Sequence, residues 1–147
     1  MSRVVCLALS CLLAQSSAAW AADATGDDLA RMQGDWMIKA MWSGGLKLPD
    51  EESQSLFRTV EGNTYTVSRY AKKISSGMFK LDGAASPKTI DSSPAVKPDS
   101  GDNTVQGIYE FDGPTLRIAN ALPGKPRPTN FKPKVGVTVI EWQVETR

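Results

Sequence analysis

The sequence has no histidine, and its two cysteines, Cys6 and Cys11, both fall near the amino terminus. The usual nitrogen and sulfur ligands for zinc, copper or haem are therefore missing from the rest of the chain, as are the partners of a Ser-His or Cys-His nucleophile. No disulfide framework can staple that remainder, so its stability has to come from a buried core. Charge of one sign is missing too: 17 Lys and Arg face 16 Asp and Glu, which argues against the broad basic field of a nucleic-acid-binding surface. Long apolar runs are absent. The longest, Val4 to Ala14, falls well short of the ~20 residues a membrane-spanning helix needs. No Gly-x-Ser-x-Gly, Ser-x-x-Lys or phosphate-binding glycine loop occurs, so the chain reads as a non-enzyme without cofactor or metal.

What is present begins with the layout of a secretory signal. Arg3 supplies positive charge, Val4 to Ala14 is almost wholly apolar, and Gln15 to Ser17 returns to polar residues. Ala19-Trp20-Ala21 follows, with small residues where a signal peptidase pocket has no room for side chains, so cleavage is expected after Ala21, or alternatively Ala22. A lipid anchor on Cys11 is disfavoured because Ala8-Leu9-Ser10 is a poor lipobox. The expected organisation is a signal peptide over 1–21, a polar leader over 22–30 and one domain over 31–147. Such a product is periplasmic or secreted and keeps no stable membrane anchor. Loss of Arg3 leaves sixteen cationic against sixteen acidic side chains. A mature length of about 125 residues suffices to bury roughly two thirds of the unfolded surface.

Asp27 to Met32 reads as a short helical turn with acids at its start, ended at Gly34. From Asp35 to Trp42 the alternation sets Trp36, Ile38, Ala40 and Trp42 on one side of a first strand. Gly44-Gly45 breaks it, and Pro49 to Glu52 starts a second short helix. Leu56 to Val60, Thr64 to Tyr70, Ile74 to Leu81 and Lys88 to Asp91 are then expected strands, with turns at Glu61-Gly62-Asn63 and Asp82-Gly83. Ser92 to Asn103 reads as loop. Thr104 to Phe111 and Thr115 to Ala121 make the clearest hairpin, turning at Asp112-Gly113-Pro114.

The proline-rich, basic run Leu122 to Lys134 lacks the ladder donors of a central strand and reads as a long connection. Val135 to Val144 closes the chain, with Val135, Val137 and Val139 in one phase and Ile140, Trp142 and Val144 in the other. That switch predicts a bulge or a change of environment. Eight strand segments with little helix predict an all-β, antiparallel up-and-down meander carrying one or two short helical turns. Closure into a barrel leaves no free edge, and a two-sheet sandwich is the competing fold.

Several motifs, in order, resemble one family. Met32-Gln33-Gly34-Asp35-Trp36 looks like its opening, and Gly77 to Asp82 followed by Pro87 to Asp91 resembles its central signature. Gly107 to Gly113, Thr115 to Ile118 and Pro123 to Phe131 resemble its close. Together they are similar to an uncharacterised secreted domain family first defined in planctomycetes, whose members have a lipocalin-like barrel. The resemblance implies fold and location but no reaction. One departure is Ala119, where relatives often carry a cysteine, so any role of that cysteine is lost here. Gly34-x-Trp36 also resembles the Gly-x-Trp of lipocalins, in which the indole plugs one barrel end beneath a basic side chain. The resemblance implies the same plug for Gly34 and Trp36, with Arg147 or Arg117 as the cation.

Two functional readings follow. An eight-stranded barrel is just wide enough inside for side chains or one small ligand. The first reading is accordingly a binding module for a small apolar or amphipathic molecule, with Trp42, Tyr109, Arg117 and Trp142 as cavity or rim residues. Its blander form fills the interior with Phe79, Leu81, Leu116 and Ile118. The second is an envelope interaction protein or inhibitor with a solid core, presenting its long loops to a protein partner through Lys125, Arg127, Lys132 and Lys134. Asp99-Ser100-Gly101-Asp102-Asn103 has oxygen ligands at loop spacing but lacks the rest of a calcium series, and reads as a solvated turn. Asp91, Glu110 and Asp112 are the acids a carboxylate pair would draw on; beside turns, such residues are ordinarily caps and surface charges.

Overall fold

The structure, a computed structural model, describes residues 16–96 and 102–145. Cys6, Cys11, most of the expected signal segment, Asp99 to Gly101 and Arg147 lie outside the described residues. Helix α1 (Ser16–Met32) leads into β1 (Gly34–Ser43), β2 (Leu46–Lys47) and the single-turn α2 (Asp50–Ser53). Then come β3 (Leu56–Glu61), β4 (Thr64–Arg69), β5 (Lys72–Asp82), β6 (Thr89–Pro94), β7 (Val105–Asp112), β8 (Thr115–Ala121) and β9 (Val137–Val144). Each strand from β3 onward pairs antiparallel with the next, β1 pairs with β3, and β1 pairs again with β9. The sheet therefore closes into a ring of eight, with β2 a spur folded back on the end of β1. This is the up-and-down barrel that the strand pattern predicts, and its closure excludes the sandwich.

The inner face is built from alternate residues. Trp36, Ile38, Phe79, Leu81, Ile90, Tyr109, Leu116, Ile118 and Trp142 form one buried cluster with Met32 of α1. Burying one such side chain contributes roughly 1.5–3 kcal/mol, so this cluster is the main source of stability in a chain without disulfides among its described residues. The interior expectation for Phe79, Leu81, Leu116 and Ile118 is met.

Other expectations are corrected. Helix α1 starts at Ser16 rather than Asp27, and β6 runs to Pro94, taking in Ser92 and Ser93, which pair with Phe79 and Met78 of β5. Ladder bonds to a neighbouring strand outweigh the low strand propensity of serine there. In β1, Ile38 lies opposite Trp142 and Ala40 opposite Glu141, which makes Lys39 an extra residue. A bulge exchanges the two faces for everything beyond it. Trp36 and Ile38 point inward, but past the bulge Met41 packs on the inner cluster while Trp42 packs with Phe131 on the outside. The one-sided series ending in Trp42 does not hold.

The two phases of the last strand have another cause. β9 alternates regularly, with Ile140 and Trp142 on the inner cluster and Val137 and Val139 on an outer one. Both faces are apolar because both are covered. The cover is the 122–136 connection, whose Phe131 packs against Ile108, Ala119, Val137 and Val139 on the outside of β7–β9. Arg127 fastens the connection: its Nη1 donates to the Gly107 carbonyl at 2.7 Å and lies 2.8 Å from Asp91 Oδ1. Ala119 is completely buried beneath this strap.

Candidate functional site

Topology assigns every turn to one of the two barrel ends. At the first, α1 lies against the β5–β6 turn and the end of β7, and Gln33, just after the helix, bonds Gly62 in the β3–β4 turn. The Asp28 carboxylate is nearly enclosed and accepts hydrogen bonds from the Tyr109 hydroxyl at 2.8 Å and from Lys88 Nζ at 2.6 Å. Gly83 N donates to Thr25 Oγ1 at 2.9 Å, and the Arg31 guanidinium sits 4.0 Å over the Phe111 ring. Burial, then the hydrogen bond and negative charge of Asp28, hold the Tyr109 phenol far above the usual tyrosine value.

Trp36 completes this end. It is buried, and its Nε1 donates to the Met32 carbonyl at 2.9 Å. Gly34 makes the join from α1 to β1 with φ of 101°, a left-handed conformation that favours glycine. The expected cation is not Arg117, which lies on the outer face. The indole is instead anchored by the last carbonyl of α1, that of Met32.

The opposite end is framed by β2, by the β4–β5 turn, and by the ends of β6 and β8. It carries an apolar rim: Leu46, Tyr70, Ile74, Val96, Leu122 and Val135 are each at least 52 % exposed. The short helix α2 lies at this end too, packed against β1 with Ser53 buried.

Between the ends lies a feature that the strand pattern did not lead us to expect. Leu56, Arg58 and Val60 share the inward phase of β3, and Arg58 stands opposite Trp36 on β1 and Val67 on β4. Arg58 is only 6 % exposed. Its guanidinium is flanked by the rings of Tyr65, at 5.1 Å, and Phe79, at 5.5 Å. Both Nε and Nη2 are enclosed without a hydrogen-bond partner, and none of the ion pairs among the described residues involves Arg58. Burial pushes the guanidinium down to about 10, which leaves it a cation at neutral pH. Asn120 Oδ1 and Trp142 Nε1, on inward positions of β8 and β9, are likewise buried and unpartnered. A polar atom enclosed without a partner inside the protein costs about 1–3 kcal/mol when neutral and more when it belongs to a cation.

The residues singled out from sequence divide between two faces. Tyr109 and Trp142 are interior, but Trp42 and Arg117 are not. Arg117 lies outside the ring, with Nη1 2.6 Å from Glu110, Nη2 3.0 Å from Glu141, and its guanidinium over Phe131. It reads as a strap-side brace. Lys125, Lys132 and Lys134 are exposed on the 122–136 connection, whereas Arg127 is occupied by Gly107 and Asp91. The three acids do not converge: Asp91 faces Arg127, Glu110 faces Arg117, and Asp112 is exposed at its turn. Asp102 caps Thr104 through its backbone N and hydroxyl. Among the described residues no cluster of Asp, Glu, His or Cys is placed to hold a metal ion.

One signal for Arg58 was available, since an arginine at the central place of Leu56-x-Arg58-x-Val60 has to share the buried phase of its apolar neighbours. The class defined by the structure is a small closed antiparallel β-barrel, plugged at one end by a helix and holding an uncompensated cation inside. Comparison with family models, with curated proteins and with solved structures found no match to this chain.

Proposed function

We propose that this barrel is an exported binding module that takes a small amphipathic molecule into its interior, and that it performs no chemistry on it. The observation that carries the reading is the set of enclosed polar atoms on Arg58, Asn120 and Trp142 that have no partner within the protein. A merely structural core gains nothing from them, whereas a ligand with one polar end and one apolar end satisfies both the polar atoms and their surroundings. The apolar rim supports the direction of access, because α1 occupies the other end. The long connection over 122–136 is tied down through Phe131 and Arg127, which weighs against its serving as a free partner-binding loop.

Export and family membership belong to the same proposal. Among the described side chains, the contacts of α1 with the barrel come from Thr25, Asp28, Leu29, Arg31 and Met32. All lie beyond the expected cut after Ala21, so cleavage there leaves the plug in place. The ordered motifs and the closed barrel agree with membership of the planctomycete-defined secreted family. Native mass spectrometry of protein purified from the periplasm tests these points together. The expected result is a mature chain starting at Ala22 or Asp23, a co-purifying small molecule, and enhanced fluorescence of an apolar probe added to the stripped protein. A bare mass in every preparation, with no probe response, sinks the binding reading; an uncleaved chain sinks export.

A further inference from the structure

We propose that Arg58 reads the carboxylate of a small amphipathic monoacid held inside the barrel, an assignment that rests on the ligand-binding reading above. Nε and Nη2, the two enclosed atoms without partners, share one edge of the guanidinium. That edge carries two parallel N–H donors, the fork that fits both oxygens of one carboxylate. The rings of Tyr65 and Phe79 attract the cation through their π faces, an interaction that uses none of its N–H donors. The binding edge is thus held in place and left unused.

Charge selects the ligand further. The inward positions of the described strands carry no carboxylate, and the nearest enclosed one, Asp28, is taken by Lys88 and Tyr109 at the plugged end. A ligand bearing a single negative charge neutralises the interior, whereas a phosphate monoester leaves a second charge buried without compensation. An ammonium would add to the charge already there. The tail has to be apolar, because Trp36, Phe79, Leu56 and Val60 surround the site. In the ligand-free barrel the edge is sealed and only the remaining 6 % of Arg58 is reachable. Docking therefore requires a side-chain shift, and Tyr65, half-buried on β4, is the one positioned to give way.

The test compares octanoate, octanol, octylammonium and octyl phosphate, each titrated into stripped full-length protein, its R58M variant and its R58K variant, with native mass spectrometry and tryptophan fluorescence as readouts. Octanoate should bind the wild type at least about tenfold more tightly than the other three compounds, a single well-made charge-assisted fork being worth that much or more. R58M should bind octanoate and octanol alike. R58K, which keeps the charge but lacks the fork, should lose about tenfold in octanoate affinity with octanol unchanged. Equal binding of octanoate and octanol by the wild type, or a preference for octanoate that survives in R58M, overturns the assignment while leaving the binding module standing. Should R58M fail to fold, undiminished octanoate affinity in R58K overturns it instead. If no octyl compound binds at all, the ligand-binding reading falls with it.

Discussion

Replacing Arg58 with methionine should make the ligand-free protein more stable, because folding strips this cation of water and offers it no anion. Its displacement from 12.5 to about 10 corresponds to a cost of about 3 kcal/mol at neutral pH, since each unit is worth about 1.4 kcal/mol. Against that stand the two aromatic contacts at 5.1 and 5.5 Å, together worth about 1–2 kcal/mol. A folded-state value below the unfolded one means that the native state disfavours the proton. The cost is thus present in full below about 10 and is relieved as pH rises from there toward 12.5. Methionine keeps the apolar stem and drops the charge, so R58M should gain about 1–2 kcal/mol at neutral pH. For a domain of this size that raises the melting temperature by about 3–8 °C. Urea denaturation measures the gain directly, and an unchanged slope assigns it to stability rather than to a change in the unfolded chain. A loss of about 1 kcal/mol or more would refute the reasoning, because the guanidinium would then be a brace whose ring contacts outweigh its desolvation.

Two further substitutions probe the plug and the strap. Tyr109→Phe removes the hydroxyl that donates to Asp28 at 2.8 Å and should cost about 1–3 kcal/mol at neutral pH. Because burial and Asp28 hold the folded phenol above its ordinary value, its contribution is complete below the unfolded value of about 10 and is lost as pH rises beyond that toward the folded one. The deficit of Y109F should therefore shrink in alkaline buffer, and a constant deficit across a pH series of denaturation curves would count against the bond. Phe131→Ala uncovers Ile108, Ala119, Val137 and Val139; as the ring is only partly buried, the expected loss is about 1–2 kcal/mol. Limited proteolysis within 122–136 should speed up in the same variant, and cleavage at the wild-type rate would mean that Phe131 does not hold the strap.

The barrel was legible because most strands present one apolar face: Leu116 and Ile118, or Phe79 and Leu81, alternate over spans long enough to fix a phase. What was not legible comes from long-range pairing. Nothing local marks Lys39 as the extra residue of a bulge, since the irregularity exists only in the register with β9. Local alternation therefore places Trp42 inward, whereas the bulge turns it outward. β5 begins at Lys72, two residues before the sequence reading, because Tyr70 and Ala71 make the hairpin turn with φ of 50° and 62°. Neither residue is the glycine or asparagine that normally announces such a turn.

The strap accounts for the misplacement of Arg117 but not for Arg58. Alternation identifies an interior only when the other face meets water. On β7–β9 the 122–136 connection buries the outside as well, so an apolar phase such as Val137 and Val139, or an ion-paired arginine such as Arg117, says nothing about which side faces the barrel interior. On β3 the rule is broken in the opposite sense, because Arg58 sits in the inward phase between Leu56 and Val60 where an apolar residue would cost less. Arg117 has two carboxylates and an outer face; Arg58 has two aromatic rings and no counter-charge. A position where every local preference favours a hydrophobic residue, and where a cation stands nonetheless without an anion, is where a fold departs from its own economy of burial. The carboxylate ligand proposed above would supply that position with the counter-charge and the two-oxygen partner that the chain itself does not.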